Sequence, residues 1–364
     1  MTETLVIHNI PAPYRLPLFE ELDDETDLKV LFHKGEDETR KWNPSLEDYS
    51  FDYEILPVID LKALWINYTI PFRILEEDPD RIIIGEYFFN LPSILSAVLH
   101  SKLKGSELVL WSGVLETEYS RSDRGLLKKA YSKIRSGYQR ILYRFTDSYI
   151  AYCQDAKKYL VQRGAEEEDI HVGGQVMPEQ LLPESSVEKE DTKYSDDKVV
   201  LSLGYLQKRK GIEYLIEAFR ELEADDTKLV IAGSGPDGER LREIAGEDED
   251  IEFVGHVKGE RKAKYYTVAD VFVLPTLHDP WGLVVNEALY YDNPVTVTES
   301  AGAKDIIGDG ENGKLVSPKD PEATKSAIED ILDNPEKFEV TETWTSVEEG
   351  LKPFRKILEK KNEY

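Results

Sequence analysis

Short β-branched runs recur along this chain, each followed by a stretch of helical periodicity. That alternation limits the possible folds more than any other feature. A first series lies at 4–7, 28–32, 51–56, 81–84, 107–111, 148–151 and 169–172. A second lies at 198–203, 228–232, 251–254, 270–274, 294–298 and 314–316, with helices expected after Gly211, Asp237, Gly259, Leu283 and Asp320. Strands that alternate with helices imply parallel sheets covered on both faces, an α/β architecture. Two series imply two domains, and 364 residues suffice for two full cores. The boundaries read as 1–175 for the first domain, 176–197 for a charged linker with two prolines, and 198–343 for the second. Residues 344–364 read as an amphipathic helix with Val347, Leu351, Phe354 and Leu358 on one stripe.

Charge narrows the partners. The 72 Asp and Glu against 45 Lys and Arg give a net charge of −27, a field that repels nucleic acid. Such acidity also suits concentrated salt, which screens self-repulsion. Cys153 is the sole cysteine, which excludes a disulfide framework and cysteine-rich metal sites. The absence of a membrane-length apolar run and of a leader-like start points to a cytoplasmic protein. One segment departs from the acidic trend. Residues 121–144 carry eight Lys and Arg against one Asp. Leu127, Ala130, Ile134, Tyr138, Ile141 and Phe145 fall there at helical spacing. This is either a core-facing helix with a basic outer side, or a basic amphipathic helix that makes a peripheral membrane contact through 121–145.

The candidate site residues cluster in the second series. The strand at 270–274 stops at Pro275, a loop carries Asp279, Pro280 and Gly282, and a helix follows from Leu283. This sets Asp279 in the loop and Glu287 about one turn into the helix. A carboxylate accepts two hydrogen bonds from a vicinal diol, so the pair suits a ligand rich in hydroxyls. It equally suits a capping acid followed by a solvated Glu. The strand at 198–203 ends at Gly204, and Lys208, Arg209 and Lys210 precede Gly211 and a helix at 212–222. Three cations before a helix N-terminus suit an anion. Gly233-Ser234-Gly235-Pro236-Asp237-Gly238 is formally a dinucleotide fingerprint. It is not on the first strand of its domain, and the next strand ends in Val254-Gly255-His256 where an acid would hold a ribose, which argues against a dehydrogenase. No cluster has metal-ligand spacing, so neither a metal nor a cofactor is expected.

These motifs resemble those of retaining glycosyltransferases of family 4, in group 1. Members carry a Glu, seven intervening residues and a second Glu around a Pro-Phe-Gly-Leu-type core. Here Asp279 and Glu287 stand at that spacing around Pro280-Trp281-Gly282-Leu283. The resemblance implies the GT-B fold: two Rossmann-like domains whose parallel sheets face across a cleft, with a C-terminal helix crossing back to the N-terminal domain. It implies a hexosyltransferase-type enzyme moving a sugar from a nucleotide-sugar donor to a hydroxyl of a glycan or polyprenyl-phosphate-linked acceptor. Retention of configuration and independence of metal come with it. By the same resemblance Glu287 holds the donor ribose, Asp279 faces the donor sugar and Lys210 binds the diphosphate. Tyr205 stands where a second cation is expected, and Arg209 or Lys208 is the substitute. Gly204, Gly233, Gly235, Gly282 and Leu283 line the donor. The turn at 300–305 resembles a Gly-Gly-x-x-Glu turn, with Asp305 as its acid. The first loop, from His8 to Arg15, lacks the family's Gly-Gly pair, and Asn9 or Arg15 is the candidate replacement. The alternatives are a sugar-nucleotide epimerase of the same fold and a non-catalytic protein that binds nucleotide sugars or glycans.

Overall fold

A computed structural model describes residues 3–36, 45–61, 65–87, 90–119, 126–223, 226–340 and 344–360, with the side chains of 126–134 and 360 outside the description. The chain forms two compact units. Residues 1–115, 123–178 and 346–364 make the first, and 116–122 with 179–345 make the second.

The first unit holds β1 (Thr4–His8), α1 (Leu16–Asp23), β2 (Leu28–Phe32), β3 (Asp52–Ile55), a small hairpin of β4 (Ile59–Asp60) and β5 (Trp65–Ile66), and α2 (Ile70–Glu77). Then come β6 (Arg81–Gly85), α3 (Leu91–Lys104), β7 (Glu107–Ser112), α4 (Leu126–Tyr143), β8 (Ser148–Ala151), α5 (Gln154–Val161) and β9 (Ile170–Val172). Seven strands pair in the order β3-β2-β1-β6-β7-β8-β9, and every pair is parallel. Both faces of β1, β6 and β8 are buried, as a sheet covered by helices requires. Alternate residues Val6, Val30, Ile83, Val109 and Ile150 join one core with α1 and the C-terminal helix, leaving Leu5, Ile7, Ile82 and Ile84 for the opposite face.

The second unit holds β10 (Lys198–Leu203), α6 (Ile212–Arg220), β11 (Thr227–Ala232), α7 (Gly238–Ala245), β12 (Ile251–Gly255), α8 (Glu260–Val268), β13 (Val271–Leu274), α9 (Leu283–Tyr290), β14 (Val295–Thr298), β15 (Gly313–Val316) and α10 (Pro321–Asp333). Its sheet order is β12-β11-β10-β13-β14-β15. Counted from its own first strand this reads 3-2-1-4-5-6, a dinucleotide-fold order whose direction reverses between β10 and β13.

The helix α11 (Val347–Lys360) belongs to the first unit and packs on α1, β8 and β9. Phe354 meets Trp111 edge-on at 5.1 Å. The stretch read as a linker is not loose. From residue 179 it is part of the second unit, where Tyr194 is buried and donates to Glu252 at 2.9 Å, and Lys189 pairs with Asp270 at 2.5 Å.

The basic segment is helical from Leu126, while 120–125 and the side chains of 126–134 lie outside the described residues. At its described end the expected apolar stripe divides, with Tyr138 half-buried. Leu142, Tyr143 and Gln139 face inward, and Ile141 and Phe145 are exposed. The cause is Glu86, a buried carboxylate just beyond β6, which draws Gln139 (2.7 Å) and Tyr143 (2.9 Å) inward as donors.

Candidate functional site

Loops at the carboxyl ends of β10, β13 and β14 build the site, at the point where the second sheet changes direction. After β10 the chain makes a single 3-10 turn, Lys208–Lys210, which ends at Gly211 with φ of 64°. A Cβ on Gly211 would stand 2.1 Å from the Pro275 carbonyl oxygen, so only glycine lets this turn press against the β13 loop. The Arg209 carbonyl then accepts from the Leu277 amide (2.7 Å) and the Thr276 hydroxyl (3.0 Å), stapling the two loops. The β13 loop is tied in turn to the β14 loop. The Asp279 amide donates to Ser300, the Gly302 amide donates to Asp279, and the Ala303 amide donates to Trp281, at 3.2, 3.0 and 2.8 Å.

This frame brings Lys210, Arg209 and Asp279 together. Lys210 Nζ donates to Asp279 Oδ2 at 2.5 Å, and Arg209 Nη1 lies 3.6 Å from the same oxygen. Arg209 Nη1 also donates to the His278 carbonyl at 2.7 Å. Asp279 is buried. Burial alone would push its carboxyl up, but Lys210 and then Arg209 outweigh that and hold it below the ordinary carboxylate value. The stem of Lys210 passes Gly204, where an added Cβ would lie 4.0 Å from Lys210 Cε. Tyr205 is largely exposed. Of the two cations expected to replace it, Arg209 is the one beside Lys210 at Asp279.

Glu287 forms a second cluster, one turn into α9. Its two oxygens accept from Lys262 Nζ at 2.9 Å and from the Tyr266 hydroxyl at 2.8 Å. Both donors come from α8, four residues apart on one helix face. Sequence reading missed them, although their spacing was a usable signal. Glu287 is buried, and burial, then the Glu287 charge, drives the Tyr266 phenol far above its ordinary value. Tyr266 therefore stays a hydrogen-bond donor throughout the working range. Gly282 and Leu283 stand at the start of α9.

The remaining sequence candidates fall around this pair of clusters. Gly233 and Gly235 are needed for a close approach, but the approach is to the chain itself. Added Cβ atoms would stand 1.8 Å from the Gly204 carbonyl oxygen and 2.2 Å from that of Leu206. The expectation that these glycines admit a nucleotide thus has a complete alternative cause in the packing of two loops. Asp305 is exposed in the short turn Gly302–Ile306, whose buried residues are Gly302 and Ala303. Lys208 adds charge near Asp237, whose carboxylate is held by Arg240 at 2.7 and 2.8 Å.

In the first unit the two candidates bond to the chain itself. Arg15 is 1% exposed, donates to the Gly174 carbonyl and lies 4.1 Å over the Trp111 ring. Asn9 caps the Ile10 amide at 2.9 Å.

Residues 185–343 match the family model described as glycosyl transferases group 1. Among curated proteins the chain is similar to an uncharacterized glycosyltransferase of Methanocaldococcus jannaschii, with 38% identity over 141 residues. That match covers 38% of this chain and 36% of the relative. It is also similar to a GDP-mannose-dependent alpha-(1-6)-phosphatidylinositol monomannoside mannosyltransferase of Mycolicibacterium smegmatis, 34% identical over 38% of this chain and 40% of the relative. The chain thus spans well under half the length of these relatives. Among solved structures it resembles HepE of Anabaena in complex with UDP and glucose, with a TM-score of 0.71, 16% identity and 100% of each chain covered. It also resembles the sucrose-phosphate synthase of Thermosynechococcus elongatus, with a TM-score of 0.71, 18% identity, and 99% and 98% of the two chains covered. With two parallel-sheet α/β units and these neighbours, the fold is GT-B.

Proposed function

We propose that this chain, whose residues 185–343 match the model described as glycosyl transferases group 1, transfers a sugar from a nucleotide-sugar donor to a hydroxyl. The acceptor is a glycan or a lipid-linked glycan, and the anomeric configuration is retained. The observation that carries this reading is the convergence of Lys210 and Arg209 on Asp279 at the sheet's switch point.

The donor's diphosphate takes over Lys210 and Arg209. As the bond from the anomeric carbon to the phosphate oxygen breaks, that oxygen gains negative charge, and the two cations stabilise it. Their cost of orientation is already met, because Asp279 and the His278 carbonyl hold them in place before the ligand arrives. Asp279, released from Lys210, accepts from a sugar hydroxyl. The acceptor hydroxyl adds to the anomeric carbon, and its proton passes to the departing phosphate oxygen. Glu287 accepts from the two ribose hydroxyls, its carboxylate held in register by Lys262 and Tyr266.

The test is product analysis with a panel of nucleotide sugars, with and without glycan acceptors. A new glycoside plus free nucleoside diphosphate is expected, and Glu287→Ala should abolish it. An epimerised donor in the absence of acceptor would move the protein to the epimerase alternative. Unchanged donor under every condition, with binding intact, would leave a non-catalytic binder.

A further inference from the structure

The second unit covers its large apolar side chains with one exception among the described residues. That exception is Tyr205, 43% exposed; the other large hydrophobics exposed in the chain, from Ile55 to Val161, all belong to the first unit. A single exposed apolar residue is ordinary on a protein surface. Tyr205 is set apart by its place. It follows Gly204 at the carboxyl end of β10, on the ligand edge of the sheet, in the loop that carries Arg209 and Lys210. No ring, cation or hydrogen bond among the described residues engages it.

The backbone on both sides of it is pinned. The Gly204 amide donates to the Ala232 carbonyl at 2.9 Å, and the Leu206 amide donates to the Ser234 carbonyl at 3.0 Å. The Leu206 carbonyl accepts from the Asp237 amide at 3.1 Å. Side chains at Gly233 and Gly235 would strike the Gly204 and Leu206 carbonyl oxygens, so these glycines let the β11 loop clamp the residues that flank Tyr205. Leu206 is rooted in the core of the unit. The aromatic ring is thus carried on fixed backbone at the rim of the site.

The other groups of the site are polar and answer phosphates and hydroxyls. A pyranose also has a face of C–H bonds, whose burial against an apolar surface is favourable. Ligand sites commonly join a few polar anchors to an aromatic wall. The stem of Lys210 runs alongside Gly204, so the residue next to Tyr205 lies one side chain's width from the cation assigned to the diphosphate. The donor's sugar is joined to that diphosphate, whereas the ribose is at Glu287 on α9. We propose that Tyr205 is a specificity-determining residue of the donor site, its ring packing on the C–H face of the donor's pyranose. This rests on the transfer reading and names what the site selects: a sugar that offers an uninterrupted C–H face on one side of its ring.

The test is calorimetric titration of wild type, Tyr205→Ala and Tyr205→Phe. The probes are UDP, GDP, ADP and dTDP, each beside its sugar conjugate: UDP-glucose, GDP-mannose, ADP-glucose and dTDP-glucose. Tyr205→Ala should weaken the nucleotide sugar that wild type prefers about tenfold, the scale of partly burying one aromatic side chain. It should leave the matching bare diphosphate unchanged. Tyr205→Phe should keep wild-type affinity for both, because the ring makes the contact. Both variants should keep the wild-type melting curve, since the side chain is already largely in solvent. Three results overturn the proposal: Tyr205→Ala binding the nucleotide sugar as wild type does, losing nucleotide sugar and diphosphate equally, or Tyr205→Phe falling as far as Tyr205→Ala. A wild type that binds none of the eight probes would strike the transfer reading and this proposal with it.

Discussion

The two units share one topology but use its switch point differently. In each, the first strand leads into a loop bearing a cation, Arg15 after β1 and Lys210 after β10. Arg15 is sealed beneath Trp111 and given to a backbone carbonyl. Lys210 is given to Asp279, a carboxylate whose charge is held, among the described residues, by that cation, Arg209 and the Trp281 amide. A carbonyl deep in the core cannot release its partner to a ligand without leaving a buried charge. A carboxylate between two cations can, because an arriving diphosphate brings the replacement charge. Position after the first strand is common to both cations; the partner that holds each one differs.

The sharpest way to break this comparison is to remove each cation. Lys210→Ala should lower kcat/KM for transfer by about 10²- to 10³-fold, the scale of one preorganised charge-stabilising group, with a smaller loss of stability than Arg15→Ala, because Arg209 still faces Asp279. Steady-state kinetics beside a melt would show it. Arg15→Ala should do the reverse, lowering stability by about 2–4 kcal/mol while leaving the donor KM of the folded protein alone. If Arg15→Ala altered donor KM and left the melt in place, the assignment of roles would be inverted.

Acid should separate the units next. His8 is buried, and its desolvation, with the nearby Arg15, lowers its pKa from 6.5 to about 3. Burial lowers His33 to about 4. Both imidazoles are neutral in the folded state and protonate more readily when unfolded. Their contribution is therefore complete above about pH 6.5 and declines as pH falls toward 4 and 3. Asp279 is depressed below 3.8, so the Lys210–Asp279 contribution is complete above that value and fades only as pH drops through the lower folded value. Amide exchange followed by unit should show the first unit opening at higher pH than the second.

The smallest expected effect falls on Glu287. Tyr266→Phe removes one donor to a charged oxygen, worth about 1.5 kcal/mol, and should raise the donor KM roughly tenfold with kcat held. A change in kcat alone would argue that Tyr266 acts on something other than Glu287.

Much of this fold is written in local pattern. Every expected strand from 4–7 to 314–316 is present within a residue or so of its expected ends. Lys210 and Asp279 were readable because each sits beside a turn residue at the end of a β-branched run. What was not readable depends on distant partners. Lys262 and Tyr266 earn their role only by meeting Glu287 across two helices. At the described end of α4 a buried Glu86, just beyond β6, draws Gln139 and Tyr143 inward and leaves Ile141 exposed, which no local pattern foretells. The 176–197 stretch looks like a linker by composition, yet Lys189 and Tyr194 find Asp270 and Glu252 on the second sheet.

Calorimetric titration with UDP and GDP, set against uridine and guanosine, tests the donor site most directly. Lys210→Ala should weaken the preferred diphosphate by about a hundredfold, roughly 2.7 kcal/mol, and leave its nucleoside unchanged. Equal affinity of wild type and variant for the diphosphate would mean that no phosphate ever meets Lys210, and the site drawn here would be wrong.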